Sequence, residues 1–184
     1  MNIKKIFTIL ILSLFGILQV VADERADQLN KLFNQLKIDN PTLTSEIEQK
    51  IWKIWSTHPK KNNLTLMLSK GSNLVNNDQL IEAVNVFTEV INLDPSWAEA
   101  WNKRATVFYL LGEFEKSQND INKVLELEER HFGALAGQGL VNIKLKNYEK
   151  AILSYEKAQK IYPSMKSPKI MIKEIEKLIK KQSI

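Results

Sequence analysis

Small residues recur in this chain at a fixed interval of 34 positions. Gly71, Ala105 and Gly139 form one series, and Ala83, Ser117 and Ala151 form a second, twelve residues further on. Larger apolar residues keep the same step: Met67, Trp101 and Leu135, then Phe87, Ile121 and Tyr155, while Pro95 and Pro163 stand two steps apart. A period of that length fits a helix–turn–helix unit that stacks on its neighbours to bury its apolar face. Small residues fall where two helix backbones must approach closely, and bulky ones fill the space beside them. The expected fold is all-α: an α-solenoid of three helix–turn–helix repeats at 64–97, 98–131 and 132–165. A helix pair within 23–63 precedes them, and a capping helix with a basic tail, 166–184, follows.

The flanking segments carry helical periodicity of their own. Leu29, Leu32, Phe33 and Leu36 predict an amphipathic helix over 24–37, broken by Asp39-Asn40-Pro41. Ser45 with Glu48 forms a capping-box pattern ahead of a second helix, whose stripe is Ile47, Ile51, Ile54 and Trp55 and which ends before His58-Pro59. Trp52 lies off that stripe, so it either faces the groove of the solenoid or packs on the first helix. Within the repeats, Asn76-Asn77-Asp78, Gly112 and Asn147 supply residues that tolerate the left-handed conformation of a turn. Ser96 with Glu99 forms a second capping-box pattern after Asp94-Pro95. Ser167 as N-cap and Pro168 at the first position open the last helix, which buries Ile172, Ile175 and Ile179 and turns its lysines to water.

The N-terminus reads as an export signal. Lys4 and Lys5 precede an apolar run from Ile6 to Leu18, Val20-Val21-Ala22 resembles a cleavage site, and charge begins at Asp23. Cleavage would leave a periplasmic protein; an uncleaved segment would anchor it in the membrane, facing the same compartment. There is no cysteine, which excludes disulfides and lipid attachment at the cleavage site. The formal charge of +5 falls to +3 without residues 1–22, and residues 166–184 alone carry +4. The basic balance therefore reports a tail rather than a nucleic-acid-binding surface. Contact of that tail with an anionic membrane surface is an alternative to a solvated lysine face.

Catalysis has no foothold in the sequence. Two histidines, His58 and His131, and no cysteine leave no pattern for a metal ion, a cofactor or a nucleophile. Gly133, Gly137 and Gly139 follow a helix rather than a strand and lack the order of a phosphate loop. Arg104 and Asp120 sit at the seventh and twenty-third positions of one repeat, where antiparallel packing brings them together as a structural ion pair.

These residues resemble the tetratricopeptide repeat. The family pattern places a bulky residue at repeat position 4, a small one at 8, an aromatic at 11, small ones at 20 and 27, a large apolar one at 24 and proline at 32. The first repeat supplies Met67, Gly71, Leu74, Ala83, Phe87, Val90 and Pro95. The second supplies Trp101, Ala105, Phe108, Ser117, Ile121 and Val124, with Glu129 in place of proline. The third supplies Leu135, Gly139, Asn142, Ala151, Tyr155, Ala158 and Pro163. Trp101 to Thr106, Arg130 to Leu135 and the tryptophan-rich stretch 47–57 also resemble an exported proteobacterial subgroup of that family.

The resemblance implies a non-enzymatic adaptor or scaffold that takes a peptide or helix of an envelope protein in its concave groove. The groove residues it implies are Leu68, Ser72, Asn102, Lys103, Thr106, Tyr109, Ala136, Leu140 and Ile143. Chaperone-binding members grip a terminal carboxylate with basic and amide side chains at fixed groove positions. Here four of those positions hold Leu68, Ser72, Gly133 and Gly137, and only Lys103 lies near the fifth, so such a clamp is not expected. The alternative is a self-associating, homodimeric module whose own residues 24–57 fill the groove.

Overall fold

The computed structural model describes residues 24–38 and 40–182. The export signal read in residues 1–22 lies outside the described residues. Helix α1 spans 24–36. It is followed by α2 (Pro41–Ser56), α3 (Asn62–Asn76), α4 (Leu80–Leu93), α5 (Ala98–Leu110) and α6 (Phe114–Leu127). The last three are α7 (Phe132–Lys144), α8 (Tyr148–Ile161) and α9 (Lys166–Gln182). The pairs α3/α4, α5/α6 and α7/α8 are the three helical hairpins; α4 and α6 also pack on the first helix of the next hairpin, and α8 packs on α9.

The small residues sit where the hairpins close. A methyl group placed on Gly139 would lie 2.6 Å from the Tyr155 ring, and one on Gly71 would run into Phe87. Tyr155 and Phe87 are fully buried against those glycines, as are Ala83 and Ala151 on the facing helices. Ser117 takes the equivalent place in the second hairpin and donates its hydroxyl to the Ala105 carbonyl at 2.8 Å. Burying one such large apolar side chain stabilises the fold by about 1.5–3 kcal/mol, provided that the backbones can approach.

The hairpin turns repeat with the same period. Asp78, Gly112 and Lys146 are the described residues with positive φ, at 60°, 77° and 60°. The third turn thus places its left-handed residue at Lys146, not at Asn147, which instead precedes α8 as its N-cap with φ −90°. Three expected caps also differ. Asn40 caps α2, accepting from the Leu43 amide, so the helix begins ahead of Ser45. Trp97, not Ser96, precedes α5, and the Ser96 hydroxyl bonds Asp94 instead. The last helix begins at Lys166, with Ser167 and Pro168 already inside its first turn.

Helix α2 is a strap laid across the turns that join successive repeats. Its Thr44 hydroxyl meets Ser164 at 2.8 Å, and its Glu48 accepts from the Tyr162 hydroxyl at 3.1 Å, both in the turn that closes the third repeat. Further along, the Trp52 ring lies on Gly133, and Trp55 stacks on His131 with ring centroids 4.0 Å apart. At its end the Trp55 carbonyl accepts from Trp97, and His58 reaches Asp94 at 2.8 Å. Helix α1 packs outside the strap. Leu29, Leu32, Phe33 and Leu36 join Ile47, Ile51, Trp55, Phe132 and Tyr162 in one apolar cluster. Arg130 binds Asn30 and lies over Phe33 at 4.4 Å.

Both histidines anchor this strap in the same manner. Each Nδ1 accepts backbone amides at a helix start, from Lys60 and Lys61 for His58 and from Ala134 for His131. The proton therefore rides on Nε2, which donates to Asp94 in one case and to the fully buried Glu99 in the other. Burial alone would raise the Asp94 carboxyl, but hydrogen bonds from Ser96 and His58 outweigh it and hold the group below the usual carboxylate range.

Candidate functional site: the inner face of the solenoid

The first helices α3, α5 and α7 line one side of the stack. A cleft of about 80 Å³ opens between α5 and α7, lined by Asn102, Thr106, Tyr109, Gly133, Gly137 and Leu140 above a floor of Ala105, Ser117, Ile121, Ala134 and Val141. Thr106 and Leu140 are exposed, and Tyr109 is half-buried with its ring 5.6 Å from that of Phe114. A methyl group added at Gly137 would meet only Ile121, at 3.8 Å, so space above this glycine is open. The room suits one aliphatic side chain flanked by hydroxyl and amide groups.

Of the nine groove residues read from the sequence, Asn102, Thr106, Tyr109 and Leu140 gather at this cleft. Leu68 is placed differently: it is 2% exposed and belongs to the core around Phe87 and Trp97. Ser72 is half-buried and returns its hydroxyl to the Leu68 carbonyl at 3.0 Å. Ala136 and Ile143 turn toward the last helix, packing beside Ile175 and Tyr155. Lys103 lies 3.3 Å from Glu99 and 6.0 Å from the centre of the Trp52 ring.

The N-terminal helices close one end of this face without filling its middle. Trp52 covers Gly133, and Glu99 beneath it is 1% exposed, while Thr106 and Leu140 remain open to solvent. Periodicity did not reveal this arrangement. Glu99 reads as a capping residue in sequence, yet it is a buried carboxylate shared by His131, Asn102 and Lys103. The one available signal was the tryptophan placed off the stripe of the second helix.

Arg104 and Asp120 form a bidentate pair, with Nε and Nη2 donating to the two carboxylate oxygens at 2.7 and 2.8 Å. The guanidinium also donates to Thr88 at 3.0 Å and lies over the Trp101 and Phe108 rings. Among the described residues, no group of three or more histidine and acidic side chains could hold a metal ion, and no helix is long and apolar enough to cross a membrane.

Known proteins match this chain along the same frame. The tetratricopeptide repeat model matches residues 98–131 and 133–165, two of the three hairpins. A tetratricopeptide repeat-containing protein of Rhizobium etli is 32% identical over 138 residues, covering 74% of this chain and 67% of its own length. The chain belongs to the tetratricopeptide repeat family. Among other members, Hsp70-Hsp90 organizing protein 1 of Glycine max is 30% identical, and the shared part covers 52% of this chain but 17% of that protein. Two solved structures share the fold. The first tetratricopeptide repeat domain of Spaghetti (RPAP3), bound to the HSP90 peptide SRMEEVD, superposes with a TM-score of 0.62 at 20% identity, covering 63% of this chain and 92% of that one. The crystal structure of MamA gives 0.59 at 21% identity, covering 71% and 73%.

Proposed function

We propose that this protein is a non-enzymatic adaptor that binds a helix or a mixed extended peptide of another protein on its inner face. The open cleft between α5 and α7 carries the reading, with exposed Thr106 and Leu140 at its rim and an apolar floor. Relatives built on the same repeats support it, one of them solved with a peptide bound. The lysines and the apolar run of residues 4–18 support export, which would put the partner in the bacterial envelope.

The partner is not a chaperone-type C-terminal carboxylate. Of the positions that would grip one, Leu68 is buried, Gly133 lies under Trp52, and the Lys103 ammonium already faces Glu99. A photo-crosslinking residue at Leu140 should capture the partner in the native envelope, and the same residue at Ile81, exposed on α4, should not. Gly137→Leu should fill the cleft and abolish capture while preserving helicity, because the glycine has room for a side chain. Equal capture from both positions, undiminished by Gly137→Leu, would sink the reading.

A further inference from the structure

The opposite side of the solenoid holds a second opening. Residues of α6, α7 and α8 together line a cleft of about 370 Å³ there. Gln118 and Asn122 come from α6, Gln138 and Asn142 from α7, and Lys150, Ser154 and Lys157 from α8. Asn142 and Ser154 are 6% and 4% exposed, so polar side chains are set deep in the wall rather than scattered on a surface. Asn142 occupies the place that Phe108 fills in the preceding repeat, so a short amide stands in the wall of this cleft where that repeat has a ring.

The amides here are satisfied only in part: Asn142 donates to the Gln138 carbonyl at 2.9 Å and Gln118 to the Asn122 oxygen at 2.8 Å. Ser154 donates to Gln138 at 3.0 Å, but Gln138 reaches Asn122, and Asn142 reaches Gln118, only at 3.5 Å. Each primary amide has two donors and an acceptor, so capacity for a ligand remains. Lys150, Leu153, Lys157 and Lys160 form an exposed stripe along α8. Among the described residues, no carboxylate lies within ion-pair range of these three lysines. Lys157 also lines a second hollow of about 500 Å³, together with Lys160, Leu125, Glu129 and Arg130. Arg130 is held by Glu128, and Glu129 is the carboxylate that lines this part.

We propose that this trough binds an extended acidic segment of a protein partner, with a carboxylate seated between Lys150 and Lys157 against the Asn142 and Asn122 amides. The length of the stripe favours a peptide over a small anion. Lys150 and Lys160 are separated by about 15 Å of helix, the span of roughly five extended residues. Leu153, 55% exposed between the first two lysines, offers an apolar contact that a peptide side chain would use and a simple anion would not. The site is separate from the inner cleft, so one partner could engage both faces or two partners could bind at once.

The test is fluorescence anisotropy of the full chain with a labelled short peptide rich in glutamate and leucine. Binding should be saturable and should weaken with salt. The double variant Lys150→Glu/Lys157→Glu should lose about tenfold or more in affinity, as expected for reversed charges at a complementary surface. Lys169→Glu/Lys173→Glu, two exposed lysines on α9, and Gly137→Leu in the inner cleft should each stay within about twofold. Circular dichroism should show all three variants folded. The proposal is overturned if the α8 and α9 variants lose affinity equally, if the α8 variant binds as the parent does, or if the peptide fails to bind at about 1 mM. Binding of inorganic tripolyphosphate under the control of Lys150 and Lys157, without binding of the peptide, would overturn it as well.

Discussion

The junction between the first and second repeats and that between the second and third share one geometry and differ in chemistry. In the first, Arg104 bridges Thr88 on the helix before it and Asp120 on the helix after it. In the second, Gln138 stands 34 residues later and bridges Asn122 and Ser154, each again 16 positions away. Trp101 and Phe108 lie against the guanidinium, whereas Leu135 and Asn142 occupy their places in the next repeat. One junction is welded by a charge-assisted, ring-covered pair. The other is a neutral, longer-ranged network with an open cleft above it. A repeat register fixes which side chains meet; residue type then decides whether the meeting place is a joint or a mouth.

The shared register can be broken first. Gly139→Leu and Gly71→Leu should each cost about 3 kcal/mol or more, because the added volume meets Tyr155 and Phe87 directly. Thermal melts check this, and a wild-type midpoint for either variant would undo the register. The difference between the junctions comes next in size. Asp120→Ala should cost about 3 kcal/mol by leaving Arg104 half-buried and unpaired. Ser154→Ala should cost about 1 kcal/mol or less, since its hydroxyl faces only neutral acceptors, Gln138 and the Lys150 carbonyl. Urea denaturation of the two variants side by side would show whether the gap is real.

The smallest expected effect lies in the third repeat alone. Burial pushes the Tyr155 hydroxyl up to about 12, with Tyr109 adding to the shift, and it has no hydrogen-bond partner among the described residues. A folded-state value above the ordinary one, about 10, stabilises the protein below pH ~10 and withdraws that contribution as pH rises toward ~12. Tyr155→Phe should therefore flatten the alkaline loss of stability and leave neutral-pH stability unchanged or slightly higher. An identical alkaline profile in both proteins would remove Tyr155 as the cause.

Much of the frame was legible in the sequence because it is periodic. The 34-residue step located the hairpins, the close glycines and the partners Arg104 and Asp120, all of which depend on contacts between elements adjacent in the chain. The strap was not legible. Helix α2 docks on turns as far away as Ser164, and no spacing within 41–56 encodes that distance. Local patterns also misled where a tertiary partner competed for the same side chain. Ser96 is drawn to Asp94, and Glu99 to His131, so neither serves the cap suggested by their spacing. Leu68 holds a repeat position that the family resemblance assigns to a groove, yet here it lies inside the first core.

The contrast between the two junctions is tested most directly by paired double-mutant cycles in one background, Arg104→Met with Asp120→Ala and Gln138→Met with Ser154→Ala, each read by urea denaturation. A coupling energy of about 2 kcal/mol or more is expected for the first pair and about 0.5 kcal/mol or less for the second. Equal coupling in the two repeats, or the larger value at Gln138 and Ser154, would contradict the account.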